Sequence, residues 1–137
     1  MKTRLIKNVL GILFVLGTFT SCSLSDDSQQ NCTEVLSVST TSVSGATVGQ
    51  VNEEITLTVS YRVAETCGEF YGFSKQDVSE TEKNIAVLFT YDLCNCNQTE
   101  NTIVTAPYKF KATQAGTYKL KFAKTDEVFV THTIVVE

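Results

Sequence analysis

Ile55-Thr56-Leu57-Thr58-Val59-Ser60-Tyr61 alternates apolar side chains with hydroxyl-bearing ones. Successive side chains of a β-strand point to opposite faces, so this alternation predicts a strand with one buried face. The alternation recurs in segments 85–91, 108–111 and 118–122. Segment 127–136 is also rich in β-forming residues, with a less regular alternation. The chain is therefore predicted to be all-β.

Turn-forming residues separate these segments, among them Ser44-Gly45 and Ala115-Gly116. Residues 76–83 and 95–101 are predicted to be loops for the same reason. Between the breaks we predict strands over residues 33–39, 46–51, 54–63, 69–74, 84–93, 103–112, 116–124 and 127–136. Seven or eight short strands without helices predict a β-sandwich.

One local segment makes the fold class more specific. Thr113-Gln114-Ala115-Gly116-Thr117-Tyr118-Lys119-Leu120 resembles the corner before strand F of immunoglobulin-like domains. The resemblance implies that the Tyr118 hydroxyl bonds the backbone of the preceding turn. Leu120 stands where antibody domains have a core cysteine, and the chain has no tryptophan. The resemblance is therefore to the wider bacterial immunoglobulin-like class, which implies an immunoglobulin-like β-sandwich of seven or eight strands.

The beginning of the chain has the three parts of a secretory signal. Lys2, Arg4 and Lys7 precede an almost wholly apolar run over 9–19, and small residues then lead to Cys22. The apolar run is shorter than the roughly 20 residues of a membrane-spanning helix. Residues 1–21 are therefore predicted to be a lipoprotein signal peptide, after which Cys22 carries the lipid. The alternative is an ordinary secreted protein in which Cys22 is a disulfide partner.

The segment after Cys22 is polar and acidic. Residues 22–31 lack a periodic apolar pattern, so they are predicted to form a flexible tether. Ser25-Asp26-Asp27 resembles the short acidic export signal of Bacteroidetes surface lipoproteins. The resemblance implies a lipid-anchored protein of the bacterial outer membrane that faces the cell exterior. A solvated linker without an export role is the alternative. Residues 32–137 then form the β domain.

Four cysteines remain once Cys22 is lipidated: Cys32, Cys67, Cys94 and Cys96. An even number in an exported protein predicts two disulfides. Two cysteines only two positions apart in an extended segment would strain a bond between them. Cys32 and Cys67 are therefore each predicted to pair with one member of the 94–96 segment. A four-thiolate zinc site is the alternative, although its usual two-residue gap is missing.

Charge and motifs restrict the classes of function. Three of eleven basic residues leave with the signal, so the mature formal charge is 8 − 15 = −7. An acidic chain without a basic tail argues against a nucleic-acid partner.

The chain has one histidine, His132, and no nucleophile elbow, phosphate loop or metal-ligand spacing, so we expect no enzyme, no cofactor and no metal. Asp77, Glu80 and Glu82 could hold calcium, but a solvated acidic loop is the simpler interpretation.

Lysines and aromatic residues give two candidate binding features. Five of the eight mature basic residues are Lys109, Lys111, Lys119, Lys121 and Lys124. In an immunoglobulin-like domain their two strands belong to opposite sheets, so we expect no single basic patch. Segment 69–73 is rich in aromatic residues; we expect Phe70 or Phe73 to enter the core and Tyr71 to be exposed for binding.

The sequence therefore predicts a non-catalytic, lipid-anchored envelope protein that presents a β-sandwich to an unknown protein or glycan partner. A small lipoprotein inhibitor of a hydrolase is the first alternative. A structural spacer in an envelope assembly is the second.

Overall fold

The computed structural model describes residues 32–64, 67–96 and 101–137, and all their regular structure is β-strand. The predicted all-β class is confirmed. None of the described residues belongs to a helix long and apolar enough to cross a membrane. The eight strands are β1 (Thr33–Ser44), β2 (Val48–Gly49), β3 (Glu54–Val63), β4 (Gly68–Asp77), β5 (Glu82–Asp92), β6 (Thr102–Lys111), β7 (Gly116–Ala123) and β8 (Phe129–Val136).

The predicted strand bounds hold to within two residues except at two places, and β2 is only Val48–Gly49 where 46–51 was predicted. Residues 76–83 were predicted to be a loop, whereas β4 continues to Asp77 and β5 begins at Glu82. β1 continues through the hydroxyl-rich segment 40–44, beyond its predicted end. Both extensions are polar, and hydrogen bonds to a neighbouring strand keep them extended without an apolar signal in the sequence.

The strands form one curled sheet in the order β2-β8-β7-β5-β1-β3-β6, and β4 pairs with the other edge of β5. β1 joins two layers, because residues 33–38 pair with β5 and residues 39–44 pair with β3. A register shift between Thr40 and Ser42 marks the crossing. The contact between β5 and β7 is parallel, unlike the antiparallel sheets of an immunoglobulin domain. The immunoglobulin-like arrangement therefore stays a prediction.

The hydrophobic core lies between the two layers that β1 connects. In β3 the alternating residues predicted to be buried all have at most 6% exposure. Aromatic rings join the layers: Tyr108 and Phe122 have ring centroids 5.2 Å apart, and so do Phe110 and Tyr118. The buried residues include Ile55, Leu57, Val59, Tyr61, Val63, Ile85, Val87, Leu120, Phe122 and Ile134. Burial of these side chains is the main favourable term in the stability of the domain.

Both disulfides lie at one end of the domain and join Cys32 and Cys67 to the 94–96 segment, as the spacing predicted. Cys32 bonds Cys94 and Cys67 bonds Cys96, a choice that the spacing left open. The backbone supports the same arrangement. Leu93 donates to the Cys32 carbonyl at 2.6 Å, and Asp92 donates to the Cys67 carbonyl at 3.0 Å. The first described residue, Cys32, therefore lies at the disulfide-bonded end.

The hydrogen bond predicted for Tyr118 is present. Its hydroxyl donates to the carbonyl of Gln114 at 2.9 Å, and its ring is 6% exposed. The bond connects the start of β7 to the turn that leads into it. The predicted signal peptide 1–21, the predicted lipid site Cys22, and the predicted tether 22–31 with its Ser25-Asp26-Asp27 motif lie outside the described residues.

Candidate functional site

A cleft opens on the outer face of the sheet where β5 changes its neighbour. Residues 87–92 of β5 pair with β1, whereas residues 82–85 pair with β7. Ala86 lies between these two pairings, so β1 and β7 diverge beside it. The resulting cleft has a volume of about 400 Å³. Its lining consists of Ser37, Val38, Ser39, Ala86, Ala123, Lys124, Thr125, Asp126 and Phe129.

A second cavity of about 200 Å³ adjoins the cleft and shares Ala86, Ala123, Asp126 and Phe129 with it. This second cavity adds polar groups from β4 and β5, among them Gln76 and Asn84. The floor therefore combines small side chains with amide, hydroxyl and carboxylate groups beside one aromatic ring. Such a surface can hydrogen-bond a polar ligand and pack an apolar face of it.

The cleft and the adjoining cavity together form the combined cleft. Two interactions of Lys121 position side chains at its wall. The Lys121 ammonium lies 5.9 Å from the centroid of the Phe129 ring and donates to Glu82 at 2.7 Å. The hydrogen bond from Lys121 lowers the pKa of the Glu82 carboxyl below its ordinary value. Asn84 Oδ1 is buried and has no hydrogen-bond partner among the described residues. An unpaired buried acceptor of this kind is costly.

The acidic segment 77–83 forms ion pairs with lysines. Asp77 pairs with Lys83, and Glu82 pairs with Lys121. The described residues contain no group of three or more His, Cys, Asp or Glu side chains arranged to hold a metal ion. Lysine partners of this kind compete directly with calcium for the carboxylates.

The lysines are divided as the fold assignment predicted, and the structure adds a grouping that the sequence analysis missed. β6 pairs with β3 and β7 with β8, so Lys109 and Lys119 lie on different layers. A groove of about 230 Å³ instead brings together lysines of β4, β5 and β6. Its lining consists of Lys75, Asp77, Lys83, Tyr108, Lys109, Phe110 and Lys111.

Tyr71 is exposed, as predicted: 65% of its surface is accessible. It is the extra residue of a β-bulge, because the register with β5 shifts between Phe70 and Gly72. Gly72 follows with a φ of 157°, which side-chain-bearing residues rarely adopt. Phe73 packs partly buried against the core, 5.0 Å from the Tyr108 ring, whereas Phe70 is 39% exposed. The bulge thus points an aromatic side chain into solvent beside the edge of β4 that pairs with no other described strand.

His132 lies in β8, as predicted, and its Nε2 is 3.0 Å from the carbonyl oxygen of Ala46. That contact joins β8 to the segment before β2. It gives the histidine a structural role at the edge of the sheet.

Sequence reasoning missed the combined cleft, because its lining comes from five strands and a turn. The one available signal was the run of small residues at alternate positions, Ser37 and Ser39. Small residues in strands are too common to indicate a cleft by themselves. The chain matches no family model, no curated protein and no solved structure.

Proposed function

We propose that this chain is a non-catalytic lipoprotein of the bacterial envelope, anchored in the outer membrane through Cys22. In this proposal its β domain binds a small polar ligand, such as a glycan fragment. The combined cleft where β1 and β7 diverge from β5 is the observation that carries the binding role. The proposal of a lipid anchor rests on the sequence around Cys22.

Anchoring is tested by replacing Cys22 with Ala. Lipid attachment needs the thiol, so we expect fatty-acid labelling in growing cells to mark the natural protein and not the variant. Several acyl chains give firm membrane attachment, because each buried methylene contributes about 0.8 kcal/mol. Equal labelling of both forms would contradict the anchor.

The cleft supports binding because its shape is fixed by the sheet itself. Ala86 and Ala123 lie on adjoining strands whose other faces pack into the core. A ligand therefore meets a preformed surface and does not have to order a loop, which lowers the entropy cost of binding. The polar groups around Phe129 would set the orientation of the ligand.

The binding role is tested with a variant that fills the cleft. Ala86→Phe would occupy the space beside Phe129, whereas Thr117→Phe places the same ring on an exposed site of β7 outside the cleft. We expect the natural protein and Thr117→Phe to retain the same ligands on a printed panel of bacterial and host glycans. Ala86→Phe should lose them while its thermal unfolding stays cooperative. Binding that is absent, or equal in all three proteins, would contradict the cleft as a glycan site.

A protein partner, including a hydrolase that the domain inhibits, is the second candidate. The exposed Tyr71 on its bulge favours it, because exposed tyrosines are common anchors of protein interfaces. A photo-reactive amino acid at position 71 should then cross-link one defined protein on intact cells, while the same group at position 117 should not. Identical products from the two positions would exclude Tyr71 as the contact.

A further inference from the structure

The lysine-lined groove lies where two edge strands of the described sheet, β4 and β6, approach each other. β4 pairs only with β5 and β6 pairs only with β3 among the described strands. Phe73 of β4 and Tyr108 of β6 touch edge to face, with ring centroids 5.0 Å apart. The groove of about 230 Å³ continues from this contact toward the turn between β4 and β5.

The strand register decides which lysines enter this groove. Lys75 is opposite Ile85, and Ile85 is buried in the core, so the Lys75 side chain lies on the inner face of its sheet. Lys83 has the same parity as Ile85 and also lies on that face. Lys109 and Lys111 come from the neighbouring edge strand, where they alternate with buried aromatic residues. Two layers therefore supply ammonium groups to one opening.

The carboxylates nearby neutralise two of these four ammonium groups. Asp77 pairs with Lys83, and Glu54 pairs with Lys109 at 2.8 Å. Among the residues that the structure describes, Lys75 and Lys111 form no ion pair. Four ammonium groups and two carboxylates leave 4 − 2 = 2 positive charges, in a mature chain whose net formal charge is −7.

We infer that this groove binds an oxyanion, the sulfate or phosphate group of a ligand that approaches from solution. Lysine ammonium groups suit such a group, because each is a compact charge with three rotatable donors. The aromatic floor under the groove keeps water away from one side and strengthens the attraction. Lys75 and Lys111 supply the free charge, and Lys83 and Lys109 complete the rim.

The position of the groove favours a soluble ligand over lipid headgroups of the protein's own membrane, a step that rests on the proposed anchor. Lys83 stands at the beginning of β5, and Cys94 follows its end. A strand of that length spans about 35 Å. The anchor peptide joins the domain at Cys32, beside Cys94, so the groove is at the opposite end from the anchor.

The test uses the whole protein in a non-ionic detergent, with a sulfated oligosaccharide as the probe in isothermal titration calorimetry. The double variant Lys75→Gln with Lys111→Gln removes the two unpaired charges. The matched control, Arg62→Gln with Lys119→Gln, removes two exposed charges outside the groove. Asp77→Asn removes a carboxylate that is 72% exposed and frees Lys83.

We expect the double variant to bind about tenfold more weakly, the control to stay within about twofold, and Asp77→Asn to bind about threefold more tightly. A gain in affinity cannot come from misfolding. The affinity of the natural protein should fall as salt is added. Inorganic sulfate should compete with the probe, and anionic vesicles should not.

Equal weakening by both double variants would overturn the inference, because it would show attraction to general surface charge. Strong competition by anionic vesicles would assign the groove to a membrane surface instead. Inward-facing charges also protect free sheet edges from aggregation. If the groove variants self-associate while binding of the probe is unchanged, that protection is their role and the oxyanion site is refuted. If these calorimetry experiments refute the oxyanion site, the proposal for the combined cleft and its own test are unaffected.

Discussion

Removal of each disulfide should destabilise the domain by a different amount, because the two bridges share part of the chain. Cys32–Cys94 closes a loop of 62 residues, and Cys67–Cys96 closes one of 29. With Cys67–Cys96 intact, the path that Cys32–Cys94 must close runs over 67 − 32 = 35 residues, crosses that bridge and returns over 96 − 94 = 2 residues. The effective loop is then about 37 residues.

The opposite case gives a shorter loop. With Cys32–Cys94 intact, two routes join Cys67 to Cys94: one of 94 − 67 = 27 residues, and one of 67 − 32 = 35 residues that crosses the bridge. Together they constrain the two ends as a single segment of about 15 residues would. The two residues from Cys94 to Cys96 then make the effective loop that Cys67–Cys96 closes about 17 residues. The loop-entropy relation then gives a loss of about 3.8 kcal/mol for removing Cys32–Cys94 and about 3.1 kcal/mol for removing Cys67–Cys96. Removing both costs about 7 kcal/mol, which is close to the whole stability of many domains of this size.

Urea unfolding followed by circular dichroism measures these losses on Cys32→Ala with Cys94→Ala and on Cys67→Ala with Cys96→Ala. The backbone hydrogen bonds of Asp92 and Leu93 hold the same ends together without a bridge, so the native geometry should persist in each variant. Full reduction of the natural protein is the control and should leave a marginally stable or unfolded chain. A loss below about 1 kcal/mol for either bridge, or the reverse order, would refute the shared-loop reasoning.

Three further predictions concern individual side chains. Tyr118→Phe leaves the Gln114 carbonyl without its donor, so denaturant titration should show a loss of about 1 kcal/mol; an unchanged midpoint would mean that the corner bond contributes nothing. Burial, with a smaller contribution from the charge of Asp77, raises the pKa of Tyr108 to about 12. Between pH 10 and 12 the unfolded chain therefore loses this proton while the folded protein keeps it, and the free energy of unfolding should fall as pH rises. Tyr108→Phe should reduce this fall without abolishing it, because burial also raises the pKa of Tyr61. Replacing Asp26 and Asp27 with Ala should protect the protein from protease added to intact cells without releasing it from the membrane; equal digestion of both forms would make the acidic segment a plain linker.

Local sequence was enough for the features that depend on neighbouring residues. The alternation of Ile55 to Tyr61 predicted the buried face of β3, because a strand repeats every two residues whatever lies opposite. The spacing of Cys94 and Cys96 excluded a bond between them and left each to a distant partner. The corner at Tyr118 was recognisable because its donor and acceptor are four residues apart.

Polar strand extensions were harder to predict. The segment 76–83 has no apolar alternation, and nothing in it predicts that β4 and β5 extend into residues 76, 77, 82 and 83. Pairing between the two strands, together with the ion pair of Asp77 and Lys83, maintains the extended backbone there. Such cross-strand support is visible only when both strands are in place.

The sequence by itself determined the all-β class, most strand positions, the exposure of Tyr71 and the pairing of Cys32 and Cys67 with the 94–96 segment, because each depends on local periodicity, spacing or turn chemistry. The tertiary structure decided which member of that segment each cysteine takes. Only the tertiary structure decided the two candidate binding surfaces. The bulge at Tyr71 inserts one residue into β4, and every later side chain therefore changes face, which turns Phe73 and Lys75 inward. The combined cleft likewise exists because β5 exchanges β1 for β7 at Ala86. Both surfaces depend on the register between strands that are distant in sequence, and a one-residue change in register would dismantle them without altering any local pattern.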